Sequence, residues 1–165
     1  MVRHLWSILC RDHSLDEKTN NISLFNVIEE IGMLKKRVDQ IKLMMTNKDD
    51  LIVLPFGFTL VTLLKREGDI GCDFDSKIKI VLKDQQGKVM LEHERGLKFV
   101  ADKKRLRLLT TLMDIKLKEE GEYTFFIFFK EGAGSFQEIG SVPLICGLCK
   151  LIRYPQSYIN SEAQK

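Results

Sequence analysis

Residues 121–130 read GEYTFFIFFK. In an extended chain Tyr123, Phe125, Ile127 and Phe129 fall on one side, and Thr124, Phe126 and Phe128 on the other. Aromatic and β-branched residues dominate, which predicts a strand. Both sides are apolar, so the expectation is a strand deep in a sheet, with a layer packed on each face.

Strand signals extend outward from it in both directions. Residues 135–145 form a closing strand after a turn at Gly132 and Gly134, and Pro143 near its end suggests an edge position. Upstream, residues 105–113 alternate Leu106, Leu108, Thr110 and Leu112 with Arg105, Arg107, Leu109 and Thr111. Residues 114–120 carry Ile115 and Leu117 into a charged turn. Ile78, Ile80 and Leu82 alternate with Lys77, Lys79, Val81 and Lys83, the pattern of one buried and one solvated face. A tight turn at Asp84-Gln85-Gln86-Gly87 returns the chain as a strand over residues 88–95, making a hairpin. Residues 97–101 carry only a weak strand signal.

Residues 56–66 are another strand. They belong to the longest apolar run, LIVLPFGFTLVTLL at 51–64. That run is shorter than the roughly 18 residues that suggest a membrane span, and Pro55 and Gly57 interrupt it. At the start, residues 5–11 and 21–29 read as two strands of an antiparallel hairpin. The polar stretch DHSLDEKTNN joins them, rich in residues that favour turns.

The period changes once. Leu34, Val38, Ile41 and Met45 recur at helical spacing, with Lys35, Lys36, Arg37, Asp39, Gln40 and Lys42 between them. This predicts an amphipathic helix of about three turns over residues 33–45, inserted near 33–47. The expected fold is mainly β. It is an antiparallel two-sheet β-sandwich of about eight strands, immunoglobulin-like or C2-like, with that one inserted helix. A closed barrel is the competing arrangement. One domain over residues 1–150 and a polar tail over 151–165 suit a chain of 165 residues.

Hydrophobic and charged fractions of 44% and 30% exclude wholesale disorder. A formal charge of +3 does not by itself argue for nucleic acid. The opening MVRHLWSILCRDH lacks the pattern of a secretory signal. The expectation is therefore the cytoplasm, with Cys10, Cys72, Cys146 and Cys149 as free thiols.

A resemblance joins these stretches. An opening strand leads to DEKTNNISLFNVIEEI, then LPFGFTLVTLLKREG, the hairpin IKIVLKDQQGKVML, and GEYTFFIFF before a strand ending VPLIC. Over residues 5–148 this resembles a family of small uncharacterised prokaryotic proteins. The acidic turn followed by ISLFNVIEE is its most specific piece. The resemblance implies a β-sandwich and brings no assigned activity and no catalytic residues. The helical connection at 33–47 departs from the family pattern.

Few motifs carry chemistry. Cys146 and Cys149 form a lone CxxC without a second ligand pair, and in an extended segment they would point to opposite faces. His4, His13 and His93 are scattered. Asp12, Asp16 and Glu17 with Asp73 and Asp75 would suit a calcium loop only if they converged; solvated turns explain them more simply. No catalytic residue, cofactor or metal is assigned. The expected role is a non-catalytic protein-interaction module. Its contact residues would be Leu34, Val38, Ile41 and Met45, with Lys35, Lys36 and Arg37 beside them. The partner would be a protein, including a second copy of this chain. The alternatives are an anionic-membrane or nucleic-acid binder through those cations and the run Lys103-Lys104-Arg105-Leu106-Arg107, or an undetected hydrolase.

Overall fold

The computed structural model describes residues 1–34, 52–54, 56–68, 71–117 and 119–149. Eleven strands lie among them: β1 (Val2–Leu15), β2 (Ile22–Val27), β3 (Glu30–Leu34), β4 (Ile52–Val53), β5 (Phe58–Arg66), β6 (Phe74–Lys83), β7 (Val89–Phe99), β8 (Arg105–Leu112), β9 (Lys116–Leu117), β10 (Gly121–Glu131) and β11 (Gln137–Cys149). They form two main sheets. One runs β2-β1-β5-β8, the other β3-β11-β10-β6-β7, and β4 pairs with β9 alone. The chain is therefore mainly β, as its alternations predict.

The expected helix is not seen in the described residues. Met33 and Leu34, the first two residues of its expected span, lie instead in β3. There they pair in parallel register with Leu148 and Cys149 of β11. A lone stretch of β11 with unpaired backbone offers hydrogen bonds at once, whereas a helix must first form a costly turn. Val38, Ile41, Met45, Lys35, Lys36 and Arg37 lie outside the described residues, as does the tail over 151–165.

One apolar core is shared by both main sheets. It takes Leu9, Phe58, Leu60, Leu64, Leu108 and Leu112 from the first. From the second come Ile78, Ile80, Leu82, Phe99, Tyr123, Phe125, Ile127 and Phe129. Phe58 meets Phe125 edge to face at 6.0 Å between ring centres, and Phe129 meets Phe99 the same way at 6.3 Å.

Two-sided burial belongs to β5, not to β10. Phe58, Leu60 and Leu64 of β5 join the core, while Thr59 and Val61 between them are buried too. On β10 the residues facing the core are buried, but Thr124, Phe126 and Phe128 are only half-buried. Among the described residues the outer aromatics are covered by lysines and not by a further layer. Lys83 lies over the Phe126 ring at 5.0 Å, and Lys79 over Phe128 at 5.6 Å and Phe136 at 4.8 Å. The expectation of a packed layer on each face of this strand is thus corrected. Long cationic stems give aromatic rings enough cover to sit on an outer face.

Turn chemistry follows the sequence closely. The Asp84 carboxylate accepts from the backbone N–H of Gln86 (3.0 Å) and Lys88 (2.8 Å), and Gly87 takes the positive φ of 80° that the turn needs. Tyr123, buried at the start of β10, donates its hydroxyl to the Glu119 carbonyl (2.7 Å) and accepts from the Glu119 N–H (3.2 Å).

β11 is not an edge along its whole length, as Pro143 suggested. It pairs with β10 on one side and, from Ile145 onward, with β3 on the other. The Ile145 N–H bonds the Glu29 carbonyl (3.1 Å) on the β3 side. Backbone groups two residues apart point the same way, so the Pro143 nitrogen also faces that side, before β3 begins. The missing donor costs no ladder bond there.

The two sheets also approach at β1 and β11. A register irregularity between His4 and Trp6 puts His4 and Ser7 on one face, although residues three apart normally oppose. His4 Nε2 and Ser7 Oγ are 2.8 Å apart, and Ser7 Oγ reaches Thr62 Oγ1 at 2.9 Å. A side-chain carbon added at Gly140 would sit 2.5 Å from His4 Cε1 and 2.6 Å from Nδ1. Only a glycine admits the ring.

Gly140→Ala should therefore destabilise the fold by about 1–3 kcal/mol through overpacking. Adding His4→Ala should recover part of that loss, measured as a double-mutant cycle by urea unfolding. Tyr123→Phe, which leaves the Glu119 backbone groups without their partner, should cost about 1–3 kcal/mol in the same assay.

Candidate interaction surface

Strand β1 outruns its pairing with β5, which ends at Cys10 and Thr59. Beyond that point it pairs only with β2, giving a two-stranded ribbon over residues 11–27. Asp16 closes its turn. The carboxylate Oδ1 accepts from the N–H of Lys18 (2.8 Å) and Thr19 (3.0 Å), and the Asp16 carbonyl accepts from Asn20 N–H (2.7 Å). These N–H donors hold the Asp16 carboxyl below its ordinary pKa, first Thr19 and then Lys18. Asn20 and Asn26 take positive φ values of 55° and 52°, which asparagine tolerates.

The ribbon is exposed along most of its length. Leu15, Phe25 and Val27 are 44%, 50% and 54% exposed. Phe25 stands opposite Asp12, and Val27 opposite Cys10. The outer side of β2 pairs with no strand among the described residues. The motif ISLFNVIEE had marked this strand in the sequence. Of its residues only Ile22 and Leu24 are half-buried.

The ribbon's turn reaches back to the first sheet's far edge. The Asn20 carbonyl accepts from Arg107 Nη1 at 3.0 Å. Between the turn, the end of β7 and the start of β8 lies a cleft of about 300 Å³. The Lys103–Arg107 run picked out in the sequence contributes Lys103, Arg105 and Arg107 to its wall. A second hollow of about 430 Å³ lies across β6 and β7, beside Lys77 and Lys98.

The remaining candidates separate. Leu34 is in β3, and the rest of the expected contact stripe is outside the described residues. Asp73 does not converge with Asp16. It accepts from the Ala101 N–H (2.7 Å) and pairs with Lys98 (2.9 Å), and these two partners, in that order, lower its pKa. Among the described residues no three potential metal ligands gather. The backbone of β11 stays extended through Cys149, without a turn at Gly147. Cys146 is buried, which pushes its thiol up to about 11. His13 and His93 are exposed on β1 and β7.

The His4–Ser7 pair was not foreseen, because the irregularity that creates it has no sequence signal. It places an imidazole beside a hydroxyl, but Gly140 packs over the ring and Thr62 takes the other side of Ser7 Oγ. The chain of three polar groups ties β1 to β5. Among the described residues no helix is long and apolar enough to cross a membrane.

Burial lowers the His4 pKa from its ordinary value of 6.5. As pH falls through that value the unfolded chain takes up the proton first, so the stability present above it is lost toward the folded pKa. The melting temperature should drop between pH 7.5 and 5.5, and His4→Gln should flatten that slope in thermal scans.

No protein-family sequence profile matches this chain, and no curated protein matches it. Among solved structures it is similar to a protein from Bacteroides fragilis assigned as a beta-galactosidase. The identity is 15% and the TM-score 0.40, over 57% of this chain and 15% of that one. The match thus takes in a small part of a much longer protein.

Proposed function

We propose that this chain is a non-catalytic protein-interaction module, a two-sheet β-sandwich of the immunoglobulin type, with the β1–β2 ribbon as its contact surface. Two features support the sandwich reading. Setting aside β2 and β3 at the sheet ends, the strand orders β1-β5-β8 and β7-β6-β10-β11 resemble the seven-strand immunoglobulin arrangement, except that β7 lies beside β6 where the constant type places its fourth strand beside the fifth. The Tyr123 hydroxyl, bonded to backbone four residues upstream at the start of β10, matches the tyrosine corner of such domains. The likeness to small prokaryotic β-sandwich proteins agrees with both.

The ribbon carries the functional reading. It holds three large, exposed apolar side chains on a strand pair whose outer edge is unpaired among the described residues. An open edge accepts a strand from a partner through backbone hydrogen bonds, and exposed apolar residues supply the area. The partner is a protein, and a second copy of this chain is the simplest case. Cytoplasmic residence remains part of this proposal.

A second reading, binding of an anionic membrane or nucleic acid, is favoured by the clustering of Lys103, Arg105 and Arg107 on one cleft. A gel shift with DNA and flotation with anionic liposomes would register it.

The double variant Phe25→Asp, Val27→Asp should keep its melting temperature within a few degrees, since both side chains are already in water. It should lose self-association by light scattering, or lose the partners cross-linked by the wild-type chain in cells. An unchanged mass together with an unchanged cross-linking pattern would refute the ribbon as contact surface.

A further inference from the structure

The cleft between the ribbon turn and β8 has an unusual charge. Lys98, Lys103, Arg105 and Arg107 line it, beside the apolar Val100 and Leu109. Lys98 is already paired with Asp73 at 2.9 Å. Among the described residues Lys103, Arg105 and Arg107 form no ion pair, and no carboxylate lines the cleft. Arg107 is held in place by its Nη1–H to the Asn20 carbonyl (3.0 Å). Its Nε is buried and has no hydrogen-bond partner. A guanidinium has five N–H donors in a fixed fork, and a buried N–H without an acceptor is rare in folded proteins.

We infer that this cleft binds a phosphate-type oxyanion, with the Arg107 guanidinium as its anchor and Lys103 and Arg105 completing the charge. Three unpaired cations suit a group carrying more than one negative charge. The planar fork of arginine matches the paired oxygens of phosphate. A volume of about 300 Å³ is at the small end of ordinary ligand pockets, so it takes the anion with a small body resting on Val100 and Leu109. The same phosphate chemistry comes from inorganic phosphate or from a small soluble ester such as a mononucleotide. Because Arg107 also holds the Asn20 carbonyl, the filled cleft fastens the ribbon turn to β8. The site stands independently of the ribbon's role as a contact surface.

Calorimetric titration of the full chain with inorganic phosphate and with adenosine monophosphate, against chloride at matched ionic strength, tests this. The expected result is saturable one-to-one binding of at least one phosphate probe. Tighter binding of the nucleotide would identify an ester as the source, and equal binding would identify the free anion. Arg107→Gln should weaken binding about tenfold or more, as loss of a desolvated charge partner does. That change also removes the tie to Asn20, so Lys103→Gln serves as the second variant. Lys103 is exposed, and its loss should weaken binding about two- to fivefold at an unchanged melting temperature. The Phe25→Asp, Val27→Asp variant should bind phosphate like wild type. Heats no different from chloride, or affinities unchanged in both the arginine and lysine variants, would overturn the site.

Discussion

Phe58 and Phe125 meet edge to face across the space between the two main sheets, and the fold depends on that contact being buried. Each ring belongs to a strand interior to its sheet, with neighbours on both sides. A slip of one residue in either strand would carry every core side chain to the opposite face. Phe58, Leu60 and Leu64 would then exchange places with Thr59, Val61 and Leu63 on β5. The aromatic pair thus fixes register as well as filling volume. The remaining strands inherit their alignment from these two through the backbone ladders.

What the core does not absorb collects at the margins. The ribbon over residues 11–27 leaves the shared core behind and keeps its shape through its own turn, with Asp16 as the acceptor that organises it. A two-stranded ribbon has little stability alone, so the hydrogen bond from Arg107 to Asn20 and the Arg11 guanidinium over the Phe56 ring matter more than such contacts usually would. The outer face of β10 uses another solution, in which lysine stems shield Phe126, Phe128 and Phe136 without a further layer. Both margins put apolar surface and positive charge side by side.

The strands were legible where alternation or aromatic density was strong. Residues of β5, β6, β8 and β10 appear in the sequence with nearly the boundaries they have in the fold, because their periodicity reflects real burial. The turn at Asp84 was equally plain, since aspartate and glycine have specific roles in it. β3 was not legible. Five residues, EIGML, carry no period, and their strand form depends on the open flank of β11 beyond Pro143. The outer face of β10 misled for a related reason: hydrophobic side chains signal burial, but the sequence does not say whether a layer or a lysine covers them. The basic run at 103–107 was visible as charge. The cleft was not, because Asn20 and Leu15 reach it from about ninety positions away.

The parallel pairing of β3 with β11 has one more consequence. Leu34 and Cys149 are register partners, so the chain departs from the described domain at two points one strand spacing apart. The segments that start there, although separated by more than a hundred positions in sequence, are tethered at neighbouring anchors. This corner is where the protein can gain new sequence on two sides at once, with the aromatic interior untouched.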